Sequence, residues 1–245
     1  MFQDRQTAGY QLAARLSAYR DDCTALILAL PRGGVAVGYT MSLALRLPLD
    51  VFITRKLRAP ENPEFALGAL SETGNVFLNP EAVHYYAGRD LKPYLDEEIR
   101  IQQDEIARRQ ALYRDGRPLP ELADRTVLLV DDGIATGATF FASVEALRKL
   151  GPKRLVAAIP VGPPDTIGEL QRKVDEMVVV SQPERFVAVG NHYRNFAQVE
   201  DDEVVEYLKA AEEALKRPAA EENGRLGAAV EDKLTTLMNA ALPVY

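Results

Sequence analysis

One cysteine, Cys23, and two isolated histidines, His84 and His192, are all that 245 residues hold of those types. That scarcity excludes a disulfide framework and a cysteine-based zinc site, and it leaves little for a histidine-rich metal cage. Cys23 itself is read as a buried apolar filler. No apolar run approaches the roughly 18 residues of a membrane span. The N-terminal stretch MFQDRQTAGYQLAARL lacks the apolar centre of a secretory signal. Basic charge is also short: 29 Lys and Arg stand against 36 Asp and Glu, a formal net charge of −7. Such a balance argues against a nucleic-acid partner. With no repeat and no long low-complexity linker, the chain reads as a cytoplasmic protein of small-molecule chemistry, with neither nucleic acid nor membrane as partner.

What is present is a series of short apolar runs. Residues 24–30, 49–54, 126–131, 155–161 and 177–181 are mostly rich in Val, Ile or Leu, as strands buried on both faces of a parallel sheet are. Helical patterns at 35–46, 138–150 and 164–174 lie between them, and Gly151-Pro152 ends the second. This alternation predicts an α/β fold, an open parallel sheet of about five strands with helices on both faces. Residues 55–80 break the pattern and read as a long loop leading into a hairpin, with its turn near Thr73-Gly74-Asn75. A charged helix over 90–114 follows. We therefore expect a main domain over 1–217, with an inserted lid or helical segment at about 57–120. An amphipathic helix at 202–217 closes it, and 218–245 form a C-terminal extension.

The strongest chemical signal is VLLVDDGIATGATF at 127–140. An apolar strand ends in Asp131 and Asp132, and a turn with Gly133, Thr136, Gly137 and Thr139 leads into a helix. A helix N-terminus presents unpaired N–H groups and a positive dipole end, which suits a phosphate. Glycines let the backbone close around it, and threonine hydroxyls add donors. The carboxylates would be repelled by that phosphate. They suit the hydroxyls of an attached sugar, or a cation met through water. The alternative is a capped strand-to-helix turn beside a solvated acidic pair. The string matches neither GxxxxGK[ST] nor GxGxxG.

A second turn, Leu30-Pro31-Arg32-Gly33-Gly34, sits where the first sheet strand ends. Its glycines permit close backbone approach to a ligand and Arg32 adds a charged fork, unless it is a plain β–α turn with an exposed arginine. Open α/β sheets bind ligands at the carboxyl ends of their strands, where both turns should converge. The cations Arg55, Lys56 and Arg58 also fall at a predicted strand end, which would give an acidic chain a basic pocket mouth.

The 127–139 string resembles the signature of type I phosphoribosyltransferases, which displace pyrophosphate from 5-phosphoribosyl 1-pyrophosphate (PRPP) with a nitrogen acceptor. The resemblance covers roughly residues 24–200. It implies that Asp131 and Asp132 hold the ribose hydroxyls, with Mg2+ nearby through those hydroxyls or water. It implies a 5′-phosphate on Gly133, Ala135, Thr136, Gly137, Ala138 and Thr139. The pyrophosphate would fall to Arg32, Gly33, Gly34, Arg55 and Lys56, with Asp131, Asp132, Arg32 and Lys56 as the catalytic set. The family's pyrophosphate loop often carries a non-proline cis peptide, here the Pro31–Arg32 bond. The spacing RKxxxP from Arg55 resembles the adenine subgroup, and 57–75 resembles the family's mobile catalytic loop. Ala135 stands where 6-oxopurine enzymes have an aspartate. Proton transfer would then need another carboxylate, with Glu61, Glu64 and Glu72 as candidates.

Residues 185–197 loosely resemble the hood of purine-type members. Phe186 with Val187, then Tyr193, would stack on a base, although the first pair suits a core equally well. In the 90–114 helix, opposite charges three or four apart suit a solvated face. Arg108, Arg109 and Arg114 could instead meet an anionic acceptor. Dimers are common in the family, so a homodimer is the default expectation. Besides a phosphoribosyltransferase with a purine-like acceptor, two readings stay open. One is a non-catalytic PRPP- or nucleotide-binding regulator of the same fold. The other is a PRPP-dependent enzyme whose acceptor is not a nucleobase.

Overall fold

Strands that are apolar on both faces must be covered on both faces, and the chain is built that way. The computed structural model describes residues 1–86 and 90–217, apart from the side chains at 63 and 64. The expected extension at 218–245 therefore lies outside the described residues. In chain order, α1 (Arg5–Arg15) precedes β1 (Ala25–Ala29), α2 (Gly33–Leu45) and β2 (Leu49–Val51). Next come β3 (Thr54–Ala59), β4 (Asn62–Ser71), β5 (Val76–Leu78), α3 (Pro80–Tyr85) and α4 (Lys92–Arg114). The chain continues with β6 (Thr126–Val130), α5 (Ala138–Lys149), β7 (Arg154–Val161), α6 (Pro164–Gln171), β8 (Glu176–Ser181) and α7 (Asp201–Lys216).

A parallel five-stranded sheet runs in the order β2-β1-β6-β7-β8. All five predicted strands are in it. Alternation along each central strand feeds two cores. Ile27 of β1 and Leu128 of β6 pack with α1, α2 and α7 through Leu12, Met41 and Val204. Leu26, Leu28 and Leu129 pack on the other face with Phe140 of α5 and Leu170 of α6. Among the described residues no helix is long and apolar enough to cross a membrane.

Two expectations are corrected. Residues 54–71 are not a loop: β3 and β4 pair antiparallel, and β5 adds to them as a separate three-stranded sheet. The turn at 72–75 is where it was expected, with Gly74 N–H donating to Ser71 O at 2.9 Å. The charged residues of TRKLRA hid a strand because one side of β3 is covered by α4 rather than by apolar core. Arg55 and Arg58, three apart, belong on opposite faces of a regular strand. A bulge over Leu57–Ala59 lets both reach α4. Cys23 is exposed rather than buried, because it lies in the turn that precedes β1. Two helices escaped the sequence reading. In α1, the Asp4 side chain accepts from Thr7 N–H at 2.7 Å as a cap, and α3 is capped by Asn79 with Pro80 in its first turn.

Candidate active site

Neighbouring parallel strands in register must release their following turns side by side. β1 and β6 pair through Ala29 and Val130, so the turns at 30–34 and 131–137 leave the same sheet edge together. The glycines make the contact tight. A Cβ on Gly33 would lie 1.9 Å from Asp132 Oδ2, and one on Gly34 would lie 3.0 Å from Asp131 Cα. The Pro31–Arg32 peptide bond is cis, as the resemblance implied. If the turn takes the sugar phosphate that the resemblance implies, Gly33→Ala, which would push the Asp132 carboxylate aside, is expected to weaken ribose 5-phosphate binding at least about tenfold, a loss calorimetry would read.

Beyond the carboxylates the turn opens. Ala135 and Thr136 are exposed, and Gly137 takes the left-handed conformation, φ 76°, that starts α5. No side chain caps that helix, so its first N–H groups face the turn without a protein acceptor from a side chain. Thr166 Oγ1 donates to Ala135 O at 3.1 Å and fastens the turn to α6.

Asp131 and Asp132 are held from several directions. Asp131 Oδ1 accepts from Asp132 N–H at 2.8 Å, and Asp132 Oδ2 accepts from Arg5 Nε at 2.8 Å. The Tyr193 hydroxyl donates to the Asp132 carbonyl at 2.6 Å. Burial, and then the neighbouring Asp132 charge, push the Asp131 carboxyl well above the usual carboxylate range. Burial also raises Asp132, against the pull of Arg5.

The other predicted residues separate. Arg32 joins Gly33 and Gly34 in the first turn, with its Nη1 3.0 Å from Glu200 Oε2 and 3.7 Å from Asp201 Oδ1. Arg55 and Arg58 turn to α4: Arg55 Nε donates to Gln102 Oε1 at 3.0 Å and Arg58 Nε to Glu98 Oε1 at 3.0 Å. Lys56 is exposed on β3. The expected basic mouth is thus largely matched by carboxylates and an amide from α4 and α7, a pairing that net charge and spacing could not reveal.

In the hood, Tyr193 is not a base-stacking residue. It is buried between Phe2 and Phe196, with ring centroids 5.2 and 5.0 Å away. Phe186 is half-buried and stacks on His192 at 5.1 Å, whereas Val187 is 81% exposed. Of the candidate carboxylates, Glu72 belongs to the interior, where it pairs with Arg114 at 2.5 Å and accepts from Ile53 N–H. Glu61 sits in the tight β3–β4 turn with φ 64°, and the Glu64 side chain lies outside the described residues.

The α4 arginines are engaged as well. Arg108 holds Glu105 and Asp201, Arg109 holds Glu105, and Arg114 is buried. Hydrogen bonds from Arg108 and Arg109 keep the Glu105 carboxyl down at about 2. Arg5 is the residue that sequence reasoning missed. Its signal was an N-cap, Asp4, opening a helix that the reading passed over.

A family model described as the phosphoribosyl transferase domain matches residues 5–193. The crystal structure of TT1426 from Thermus thermophilus is 40% identical in sequence, with a TM-score of 0.69 over 85% of this chain and 97% of that one. Two curated Mycobacterium tuberculosis proteins, from strains CDC 1551 and H37Rv, are each 42% identical over 212 residues, 86% of this chain. Their names assign them provisionally to the phosphoribosyl transferases. The chain spans about half the length of these curated relatives, 47% of each.

Proposed function

The chain belongs to the phosphoribosyl transferase family, and from that premise we propose that it binds PRPP with Mg2+ and passes the phosphoribosyl group to a nitrogen acceptor, purine-like in kind, releasing pyrophosphate. One observation carries this reading: Gly33 and Gly34 are packed against the Asp131–Asp132 pair, which leads directly into the uncapped N-terminus of α5. Three subsites then follow in a row. The N–H groups of 137–139, with the Thr136 and Thr139 hydroxyls, take the 5′-phosphate. Asp131 and Asp132 accept from the ribose hydroxyls. The 32–34 turn receives the pyrophosphate, with Arg32 exchanging Glu200 for the ligand and Lys56 reaching in from β3. As the acceptor nitrogen bonds to C1 of the ribose, the bond from C1 to the pyrophosphate oxygen breaks, the electron pair leaves with the pyrophosphate, and the acceptor's proton passes to water. These residues assist by positioning the ligand and stabilising charge on the leaving group.

Among the described residues no three His, Cys, Asp or Glu side chains gather as a metal cage. A Mg2+ ion would therefore meet Asp131 and Asp132 through ligand hydroxyls or water and take its other oxygens from PRPP. The chemistry it supplies when bound is neutralisation of pyrophosphate charge. A second reading, a PRPP-binding regulator without catalysis, is favoured by the pairing of Arg32 with Glu200 and of Glu72 with Arg114.

Calorimetry with PRPP and Mg2+ is expected to give a micromolar Kd, roughly −8 kcal/mol. The double substitution Asp131→Asn, Asp132→Asn should weaken it at least about a hundredfold. An unmodified protein that fails to bind PRPP would refute the reading. A screen of purines, pyrimidines and other amines for pyrophosphate release then separates enzyme from regulator.

A further inference from the structure

Asp132 is fixed by parts of the chain that lie far from it in sequence. Arg5, on α1, donates from Nε to its carboxylate at 2.8 Å and from Nη1 to Ala197 O at 2.7 Å. The guanidinium lies over Phe196, 3.9 Å from the ring centroid. Phe196 stacks on Tyr193 and Tyr193 packs on Phe2, while the Tyr193 hydroxyl holds the Asp132 carbonyl. Backbone bonds lock the two segments together: Phe2 N–H donates to His192 O, and Arg194 N–H donates to Phe2 O. A Cβ at Gly33 would lie 3.0 Å from Arg5 Nε. The guanidinium thus lies close to both the first turn and an aromatic ring, and most of its side chain is buried.

We propose that Arg5 is a positioning residue that aims the Asp132 carboxylate at the sugar hydroxyls, so that an N-terminal helix sets the site's preference for a vicinal diol. The inference rests on the reading of 131–139 as a ribose-phosphate site. A planar guanidinium that holds one carboxylate oxygen and one carbonyl fixes the carboxylate's rotation, and its other oxygen is left in one direction. Without that tie, an Asp132 carboxylate beside a second carboxylate would rotate away from it. The phosphate cradle would not feel the loss, because α5 and the 133–139 turn make no contact with Arg5 among the bonds described.

The test compares ribose 5-phosphate with 2-deoxyribose 5-phosphate by calorimetry, since the two share a phosphate and differ in one hydroxyl. The unmodified protein should prefer the ribose form about tenfold, near 1.4 kcal/mol. Arg5→Gln should bring that preference below about twofold, with the deoxy ligand bound as before, and Arg5→Lys should restore part of it. Should Arg5→Gln fail to fold, Arg5→Lys alone still decides: its preference must fall between unity and that of the unmodified protein. An undiminished preference in these variants would overturn the proposal. So would an equal loss of both ligands, which is what a merely structural role produces. Absence of any binding or preference in the unmodified protein would instead sink the ribose-phosphate reading, and this inference with it.

Discussion

Asp131→Asn is expected to raise the melting temperature of the ligand-free protein and, on the proposed function, to weaken PRPP binding roughly ten- to hundredfold. Both effects come from one arrangement. Burial and the adjacent Asp132 charge lift the Asp131 carboxyl well above its ordinary value of 3.8. A carboxyl with a raised folded-state pKa binds more protons folded than unfolded. Stability therefore falls as pH rises from about 4 through the raised value, and the penalty is complete above it. Asp131→Asn removes the ionising group and keeps the oxygen that accepts from Asp132 N–H at 2.8 Å. Thermal melts from pH 4 to 8, without ligand or divalent cation, should show the gain growing with pH. The variant should weaken the proposed sugar contact, because a carboxylate accepts more strongly than an amide oxygen. Asp132→Asn should give no such gain, since it strands the Arg5 guanidinium. A lower melting temperature for Asp131→Asn at neutral pH would refute the account.

Glu72→Ala is expected to be the most damaging single change to stability, about 3–5 kcal/mol, or roughly 10 °C in melting temperature. The Arg114 and Glu72 side chains are each only 2% exposed and 2.5 Å apart. Arg114 also donates to Asp50 at 3.0 Å and to the Val51 carbonyl, and Glu72 accepts from Ile53 N–H at 2.7 Å and Gln110 at 3.0 Å. Together these bonds tie the end of α4 to β2 and to the start of β3. Burial opposes the Arg114 charge and the two carboxylates more than offset it, so the guanidinium lies above its ordinary value. Removing one partner leaves the other charged and dry. The double variant Glu72→Leu, Arg114→Met should recover much of the loss, because replacing a buried pair with apolar groups is often close to neutral. Equal damage from the single and double variants in urea melts would count against this view.

These two sites differ in how far they were legible in advance. The Asp131–Asp132 turn was plain, because strand, carboxylates, glycines and helix follow one another within 14 residues and each is a local requirement. The five sheet strands were equally plain, because burial on both faces leaves little but Val, Ile, Leu and Ala. Glu72 looked like a loop carboxylate until Arg114, 42 residues away, was found beside it. Tyr193 looked like a ring for a base, and its hydroxyl instead holds Asp132.

The net charge of −7 predicted little about the cleft for the same reason. Each cation placed at the mouth by sequence position, Lys56 aside, acquired its partner from another element: Arg32 from α7 and its cap, Arg55 and Arg58 from α4. Arg5 shows the converse. Nothing in its neighbourhood marks it, because its position depends on α1 packing on one face of the sheet with its first residue at the carboxyl edge. By itself the sequence determined the parallel sheet, the turn after Asp131–Asp132 and the glycine turn, all set by hydrophobic period and backbone sterics over short spans. Tertiary structure alone decided which charges are satisfied within the protein and which stay exposed, because an ion pair depends on distance in space and a chain folded into layers brings together residues up to 192 positions apart.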